Sequence, residues 1–143
     1  MEAFTDAIAF NWLIAGTDAH AKNYSLLIGS GAGVRLAPIY DLASILPYRA
    51  PSLLRVKLAM KIGGEYRLSN IGLRHWQKMA TELRLDEEAL IDRVRAMTTI
   101  LPDTVTDVQA TTEEEGLSHE TISKLADRLK MRAVTCLRIL QSK

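Results

Sequence analysis

Glycine and proline residues divide this 143-residue chain into two helix-compatible parts and a part between them that cannot form a long helix. The middle part, residues 29–64, begins with a glycine-rich run, contains Pro38, Pro47 and Pro51, and ends with a glycine pair. Each proline fixes φ and removes a backbone donor, and glycines favour turns, so a continuous helix is excluded there. The sequence therefore predicts helices that flank a short irregular region.

The N-terminal third is expected to contain a helix and then strands. Apolar residues at helical spacing predict a helix over residues 2–15 that ends at Gly16. The short apolar runs 25–28 and 34–37 flank the glycine-rich run, which predicts two paired strands joined by a tight turn. Residues 55–62 are expected to form one more strand before the glycine pair.

The remainder of the chain has a helical pattern. Ser69 is expected to cap a second helix, and the acidic residues 86–88 favour the first turn of a third. Pro102 is expected to begin a fourth helix that ends before Gly116, and Ser118 is expected to open a long final helix.

Length and composition indicate one ordinary globular domain, residues 1–143, with 48% hydrophobic and 24% charged residues. The expected fold class is α+β, mainly α-helical, with a small β-hairpin and about five helices. The net charge of +1 argues against a mainly electrostatic nucleic-acid binder. The apolar run 7–16 is too short to span a membrane, and residues 1–6 lack the basic start of a signal peptide. With Cys136 as the single cysteine, we expect a cytoplasmic protein without an internal disulfide.

One constellation of polar residues points to phosphoryl transfer. Asp18 and Asn23 have the spacing of a phosphotransferase catalytic loop, and Asp41 follows the second predicted strand. The carboxylate of Asp18 would accept the proton of a substrate hydroxyl. The amide oxygen of Asn23 and the carboxylate of Asp41 would coordinate Mg²⁺, which takes oxygen ligands. Either loop residue alone would more simply be a turn former, but the three residues in this order favour the catalytic interpretation.

Three segments carry a family resemblance: residues 12–25 (WLIAGTDAHAKNYS), 35–42 (RLAPIYDL) and 56–60 (VKLAM). They closely resemble the C-terminal lobe of HipA-like serine/threonine kinases, the toxins of bacterial type II toxin–antitoxin pairs. The resemblance implies a protein-kinase-like C-terminal lobe that uses ATP and Mg²⁺. Asp41-Leu42-Ala43 stands where ordinary protein kinases have Asp-Phe-Gly. This departure fits an atypical group of kinases better than the typical one.

Carried over by position, the resemblance implies a role for each residue of the loop. Asp18 would be the catalytic base, Asn23 and Asp41 would bind the metal, and His20 and Lys22 would support the loop and the phosphates. His20 could also shuttle a proton, but an ordering role by hydrogen bonding is the simpler interpretation.

The resemblance also implies partners. Kinases of this family phosphorylate aminoacyl-tRNA synthetases, and a helix-turn-helix antitoxin of HipB type restrains them, so contact with DNA would be indirect. They also need an N-terminal ATP-binding lobe with a phosphate loop and a strand lysine, and the sequence contains neither. The chain is therefore expected to be the catalytic lobe alone.

Three alternatives stay open. A small-molecule kinase would share the same catalytic residues. An inactive interaction module would bind a partner lobe or the antitoxin through the surface that an N-terminal lobe covers. A DNA-binding role would rest on Lys124, Arg128 and Arg132 of the last helix, for which a solvated helix face is the simpler explanation.

The remaining notable residues are expected to be structural. His75 and His119 lack other zinc ligands at a suitable spacing, and Cys136 lies within an apolar helical stripe. Phe4, Trp12 and Trp76 fall on the inward faces of their helices and are predicted to be core residues.

Overall fold

Helices make up most of the chain in the computed structural model, which describes residues 2–31, 33–48 and 53–141. Within those ranges the structure contains four α-helices and two β-hairpins, which confirms the predicted fold class. The elements in chain order are α1 (Glu2–Ile14), β1 (Leu26–Ile28), β2 (Val34–Leu36), β3 (Lys57–Ile62), β4 (Glu65–Arg67), α2 (Leu73–Leu83), α3 (Glu87–Glu114) and α4 (Glu120–Gln141).

Both hairpins are antiparallel and follow from their turn residues. In the first, Leu26 lies opposite Leu36 and Ile28 opposite Val34, as the two predicted strands require. Ala32 of its turn and Pro51 of the proline-containing segment lie outside the described residues. The second hairpin pairs β3 with β4, which the sequence pattern did not indicate. Its two-residue turn has positive φ at both positions, 54° and 92°, and glycine occupies both because it adopts this conformation without a Cβ clash.

The core forms where α1 meets the three C-terminal helices. Trp12 of α1 and Trp76 of α2 are fully buried, and their rings meet edge to face with centroids 5.4 Å apart. Such aromatic pairs stabilise by roughly 0.5–1.5 kcal/mol beyond the area they bury. Both tryptophans are core residues as predicted, and half-buried Phe4 packs against the same cluster. Helix α1 is thereby fixed, and its C-terminal end delivers the loop that carries Asp18.

Two predicted helix boundaries are wrong. Pro102 does not begin a helix but lies inside α3, which continues over 28 residues. Leu101 beside it and Val94 two turns earlier are buried, and their packing holds the helix together across the missing hydrogen bond. Ser69 does not cap α2, because its hydroxyl donates to the carbonyl of Leu54 at 3.3 Å. The N-cap of α2 is Gly72.

None of the helices in the described part of the chain is long and apolar enough to cross a membrane.

Candidate active site

The loop that follows α1 is shaped by a left-handed exit from the helix. Ala15 has a φ of 53°, and the N–H of Gly16 then donates to the carbonyl of Asn11 at 2.8 Å. The chain continues to a short 3₁₀ turn, Ala21–Asn23, in which the N–H of Asn23 donates to the carbonyl of His20 at 2.9 Å. This turn places Asn23 inside the loop, where it is only 7% exposed.

Asn23 and Asp41 meet across the loop. The Nδ2 of Asn23 donates to Oδ2 of Asp41 at 3.1 Å and to the main-chain carbonyl of Asp18 at 3.2 Å. Asp41 itself has a φ of 57°, a conformation that asparagine and aspartate tolerate better than other side chains with a Cβ. Backbone strain of this kind is concentrated at functional sites. The first hairpin thus returns the chain so that an amide and a carboxylate 18 positions apart come into contact.

The side chain of Asp18 contacts His20. Its Oδ1 lies 3.0 Å from Nε2 of His20, and the Asp18 side chain is 71% exposed. An exposed carboxylate held by an imidazole can accept a proton from a hydroxyl group that approaches from solvent. The ordering role expected of His20 agrees with this contact. Only the main chain of Asp18 joins it to Asn23.

Lys22 contributes to the loop through its backbone. Its side chain is exposed, while its carbonyl accepts a hydrogen bond from the hydroxyl of Tyr40 at 3.0 Å. The same hydroxyl lies 3.1 Å from Oγ of Ser25. Tyr40 therefore ties the Lys22 turn to the segment that carries Asp41. Sequence reasoning missed Tyr40 and Ser25, although the position of Tyr40 directly before Asp41 was a usable signal.

Tyr24 anchors the loop to α1. Its ring packs edge to face on Phe4 with centroids 5.2 Å apart, and its hydroxyl accepts a hydrogen bond from Nδ2 of Asn11 at 3.3 Å. Burial raises the pKa of the Tyr24 hydroxyl, and the hydrogen bond from Asn11 offsets part of that rise. The neutral form of the phenol is thus favoured, and it can remain packed between the loop and α1.

The donor set fits a magnesium ion that also binds phosphates. The described residues include no group of three or more histidine, cysteine or acidic side chains that could hold a metal ion. Asn23 donates through Nδ2, and no donor within the described ranges is bonded to its Oδ1, while Asp41 offers a carboxylate. Mg²⁺ typically takes one or two carboxylates and completes its shell with water and substrate phosphates. Two protein oxygens are therefore suitable for Mg²⁺ with a nucleotide and insufficient for a closed structural site.

Of the three basic residues of α4 that the sequence placed on a solvated face, Lys124 is exposed as expected, but the two arginines are not part of such a face. The guanidinium of Arg132 is buried and donates to the carbonyls of Trp12 and Leu13. Arg128 donates from Nη1 to the carbonyl of Leu46. Charged residues at i, i+4 spacing give no local signal for this, because the carbonyls that they meet are distant in sequence. These contacts argue against a DNA-binding face built on the two arginines.

Cys136 is a core residue as predicted, and the two histidines each accept a backbone hydrogen bond. Nδ1 of His75 accepts a hydrogen bond from the N–H of Gly72 at 2.9 Å. Nδ1 of His119 accepts one from the N–H of Thr121 at 3.1 Å. Cys136 is fully buried, and this burial raises the pKa of its thiol to about 11.

Comparisons with known proteins identify relatives. The family model described as HipA-like C-terminal domain matches residues 1–133. "Putative kinase Y4mE" of Sinorhizobium fredii (strain NBRC 101917 / NGR234) is 31% identical over 128 residues, which are 90% of this chain and 30% of that protein. "Putative kinase Y4dM" of the same strain is 30% identical over 135 residues, which are 92% of this chain and 30% of that protein.

A solved structure shares the fold. A chain from the complex of the Shewanella oneidensis MR-1 toxin–antitoxin system HipA, HipB and its operator DNA superposes with a TM-score of 0.80 at 24% identity. The match covers 98% of this chain and 32% of the other. The present chain thus spans about a third of the length of the proteins that it matches.

Proposed function

This chain belongs to the HipA-like C-terminal domain family, which confirms the resemblance seen in the sequence, and on that premise we propose that it is the catalytic lobe of a protein kinase. The kinase would transfer the γ-phosphoryl group of ATP to a serine or threonine hydroxyl, as the toxin of a bacterial toxin–antitoxin pair. The single observation that carries the proposal is the contact between Asn23 and Asp41, in which Nδ2 of Asn23 lies 3.1 Å from Oδ2 of Asp41.

In the proposed mechanism each residue of the site has its own role. Asp18 accepts the proton of the substrate hydroxyl, and His20 orients its carboxylate. Oδ1 of Asn23 and the carboxylate of Asp41 would hold Mg²⁺, which when bound would neutralise charge on the nucleotide phosphates. The exposed ammonium group of Lys22 would contact the phosphates, and the hydrogen bond from Tyr40 to the carbonyl of Lys22 fixes the backbone of the turn.

The proposed partners follow from the relatives. Their greater length supports an additional ATP-binding lobe that works together with this one. The structural relative was solved in a complex with HipB and operator DNA, which supports an antitoxin partner of that type and indirect contact with DNA. An aminoacyl-tRNA synthetase is the first protein substrate to test.

Phosphoryl transfer is tested with a matching N-terminal lobe supplied. We expect label from γ-³²P-ATP to enter serine or threonine of a protein acceptor, and the rate to fall by about 10²–10⁴-fold in Asp18→Ala, the range for loss of a general base. Equal turnover of the variant would refute the assignment. A panel of hydroxyl-bearing small molecules in the same assay separates a protein kinase from a small-molecule kinase.

The metal site is tested on the chain alone. Mn²⁺, a paramagnetic substitute for Mg²⁺, should broaden the NMR signals of Asn23 and its neighbours at low occupancy. Asp41→Asn keeps the side-chain shape and tolerates the same φ, so the fold should persist while the broadening weakens at least tenfold. Asp127→Asn makes the same change at an exposed position of α4 and should leave the broadening unchanged. Equal broadening in both variants would remove Asp41 from the site.

A second function is favoured by the first hairpin. Leu26, Ile28, Val34 and Leu36 share one sheet face, and the first three are 62%, 78% and 59% exposed. We call these four residues the hairpin face. Contiguous apolar exposure of this kind marks interaction sites. An inactive module would bind the N-terminal lobe of a partner through it.

Two measurements test this second function. The first asks whether the hairpin face binds an N-terminal lobe, which both functions allow, and the second distinguishes an inactive module from the kinase lobe. Ile28→Glu should abolish assembly with a supplied N-terminal lobe, while Leu117→Glu, at a similarly exposed leucine between α3 and α4, should not. Micromolar affinity of the isolated chain for Mg²⁺-ATP would argue against a purely inactive module.

A further inference from the structure

The C-terminal end of α1 is bound by side chains from two distant parts of the chain. The last carbonyls of an α-helix lack partners within the helix and carry the negative end of its dipole. Nε of Arg132 donates to the carbonyl of Leu13 at 2.8 Å, and Nη2 of Arg132 donates to that of Trp12 at 2.5 Å. Oγ of Ser44 donates to the carbonyl of Ile14 at 2.5 Å.

Arg132 is a buried cation without an acidic partner. Its side chain reaches α1 from α4, is 8% exposed, and has its guanidinium carbon 5.8 Å from the ring centroid of Trp12. No aspartate or glutamate in the described part of the chain forms an ion pair with it. Burial lowers the pKa of this guanidinium, although arginine stays charged in proteins. A buried charge requires compensation, and the carbonyl end of α1 provides it.

The same helix end anchors both segments of the candidate site. The loop that carries Asn23 leaves α1 directly after Ile14, and Ser44 follows Asp41 by three positions. The carbonyl of Ala15 also accepts from the N–H of Ile45 at 3.4 Å. The last turn of α1 is therefore a shared support of the two segments, and a loss of order in that turn would loosen the contact between Asn23 and Asp41.

We propose that Arg132 is a positioning residue for the candidate metal pair: by fixing the last turn of α1, its guanidinium sets the geometry between Asn23 and Asp41. This inference rests on the proposed function for its catalytic meaning. Lysine would retain the charge but not the planar set of donors that spans two carbonyls. The role predicts an ordered loss of function from arginine to lysine to methionine.

The experiment compares Arg132→Lys and Arg132→Met with Arg138→Met, an exposed position on the same helix. The first readout needs no metal: the side-chain NH₂ signals of Asn23 report its hydrogen bond to Asp41. We expect these signals to shift and exchange faster with solvent in Arg132→Met, to change less in Arg132→Lys, and to stay constant in Arg138→Met. The second readout is Mn²⁺ affinity, which should fall at least tenfold in Arg132→Met and recover in part in Arg132→Lys.

The outcomes separate this inference from the proposed function. Wild-type Asn23 signals and Mn²⁺ affinity in a folded Arg132 variant would overturn the positioning role. If Arg132→Met does not fold, Arg132→Lys carries the test, and unchanged Asn23 signals in that variant would have the same consequence. Absence of Mn²⁺ binding at Asn23 in the wild-type chain would contradict the proposed metal site, while the Asn23 signals would still decide whether Arg132 sets the pair.

Discussion

Replacement of Gly63 by alanine should destabilise the protein strongly, because this glycine combines a special backbone conformation with a close approach. Gly63 has a φ of 54°, and a Cβ added there would lie 2.1 Å from the carbonyl oxygen of His75. That oxygen belongs to the backbone of α2, so it cannot move aside as a side chain can. The left-handed conformation costs an alanine about 1 kcal/mol, and forcing atoms into packed structure costs about 1–3 kcal/mol. The sum is about 2–4 kcal/mol.

Gly116→Ala separates the two contributions. Gly116 has a φ of 77° but no atom within 4 Å of its added Cβ, so only the conformational cost applies. Urea unfolding followed by circular dichroism should therefore give a loss of about 1 kcal/mol for Gly116→Ala and two to four times that loss for Gly63→Ala. A shift of about 4 °C in Tm per kcal/mol is expected for a chain of this size. Equal losses in the two variants would show that the approach to His75 contributes nothing.

Two further predictions concern stability. Since burial raises the pKa of Cys136 to about 11 from the usual 9.0, the unfolded thiol ionises first as pH rises, and the native state loses stability between pH 9 and about 11. Urea unfolding at pH 8 and pH 10.5 should show a loss about 2 kcal/mol larger for the wild type than for Cys136→Ala, and equal losses would contradict the buried-thiol explanation. Pro102→Ala should raise the unfolding free energy by about 1–3 kcal/mol, because it restores a donor inside α3, whereas a lower urea midpoint would show that the proline is needed there.

Short-range signals in the sequence predicted the local structure. The periodicity of α1 located that helix to within one residue, and the glycine-rich run located the first hairpin. Periodicity and turn chemistry depend on residues that are neighbours along the chain, which is why they could be predicted. The second strand of the β3–β4 hairpin was missed because Glu65–Arg67 is too short to show a pattern of its own.

For the candidate site, too, some features could be predicted from the sequence and others only from the structure. The spacing of Asp18 and Asn23 pointed to the loop from sequence, as did the position of Asp41 after the hairpin. Their roles in catalysis and metal binding stay predictions, to be decided by the experiments above. The contact between Asn23 and Asp41 and the support by Tyr40 and Ser44 became visible only in three dimensions.

The sequence by itself determined the helical class, the first hairpin and the family, because each depends on local order along the chain. Tertiary structure decided that α3 continues through Pro102 and that Arg132 is buried rather than solvated. In both cases the deciding contacts come from tertiary packing, which local sequence patterns do not reveal. Burial of apolar neighbours outweighs one lost hydrogen bond, and the carbonyl end of α1, distant in sequence, is what gives a buried guanidinium its partners.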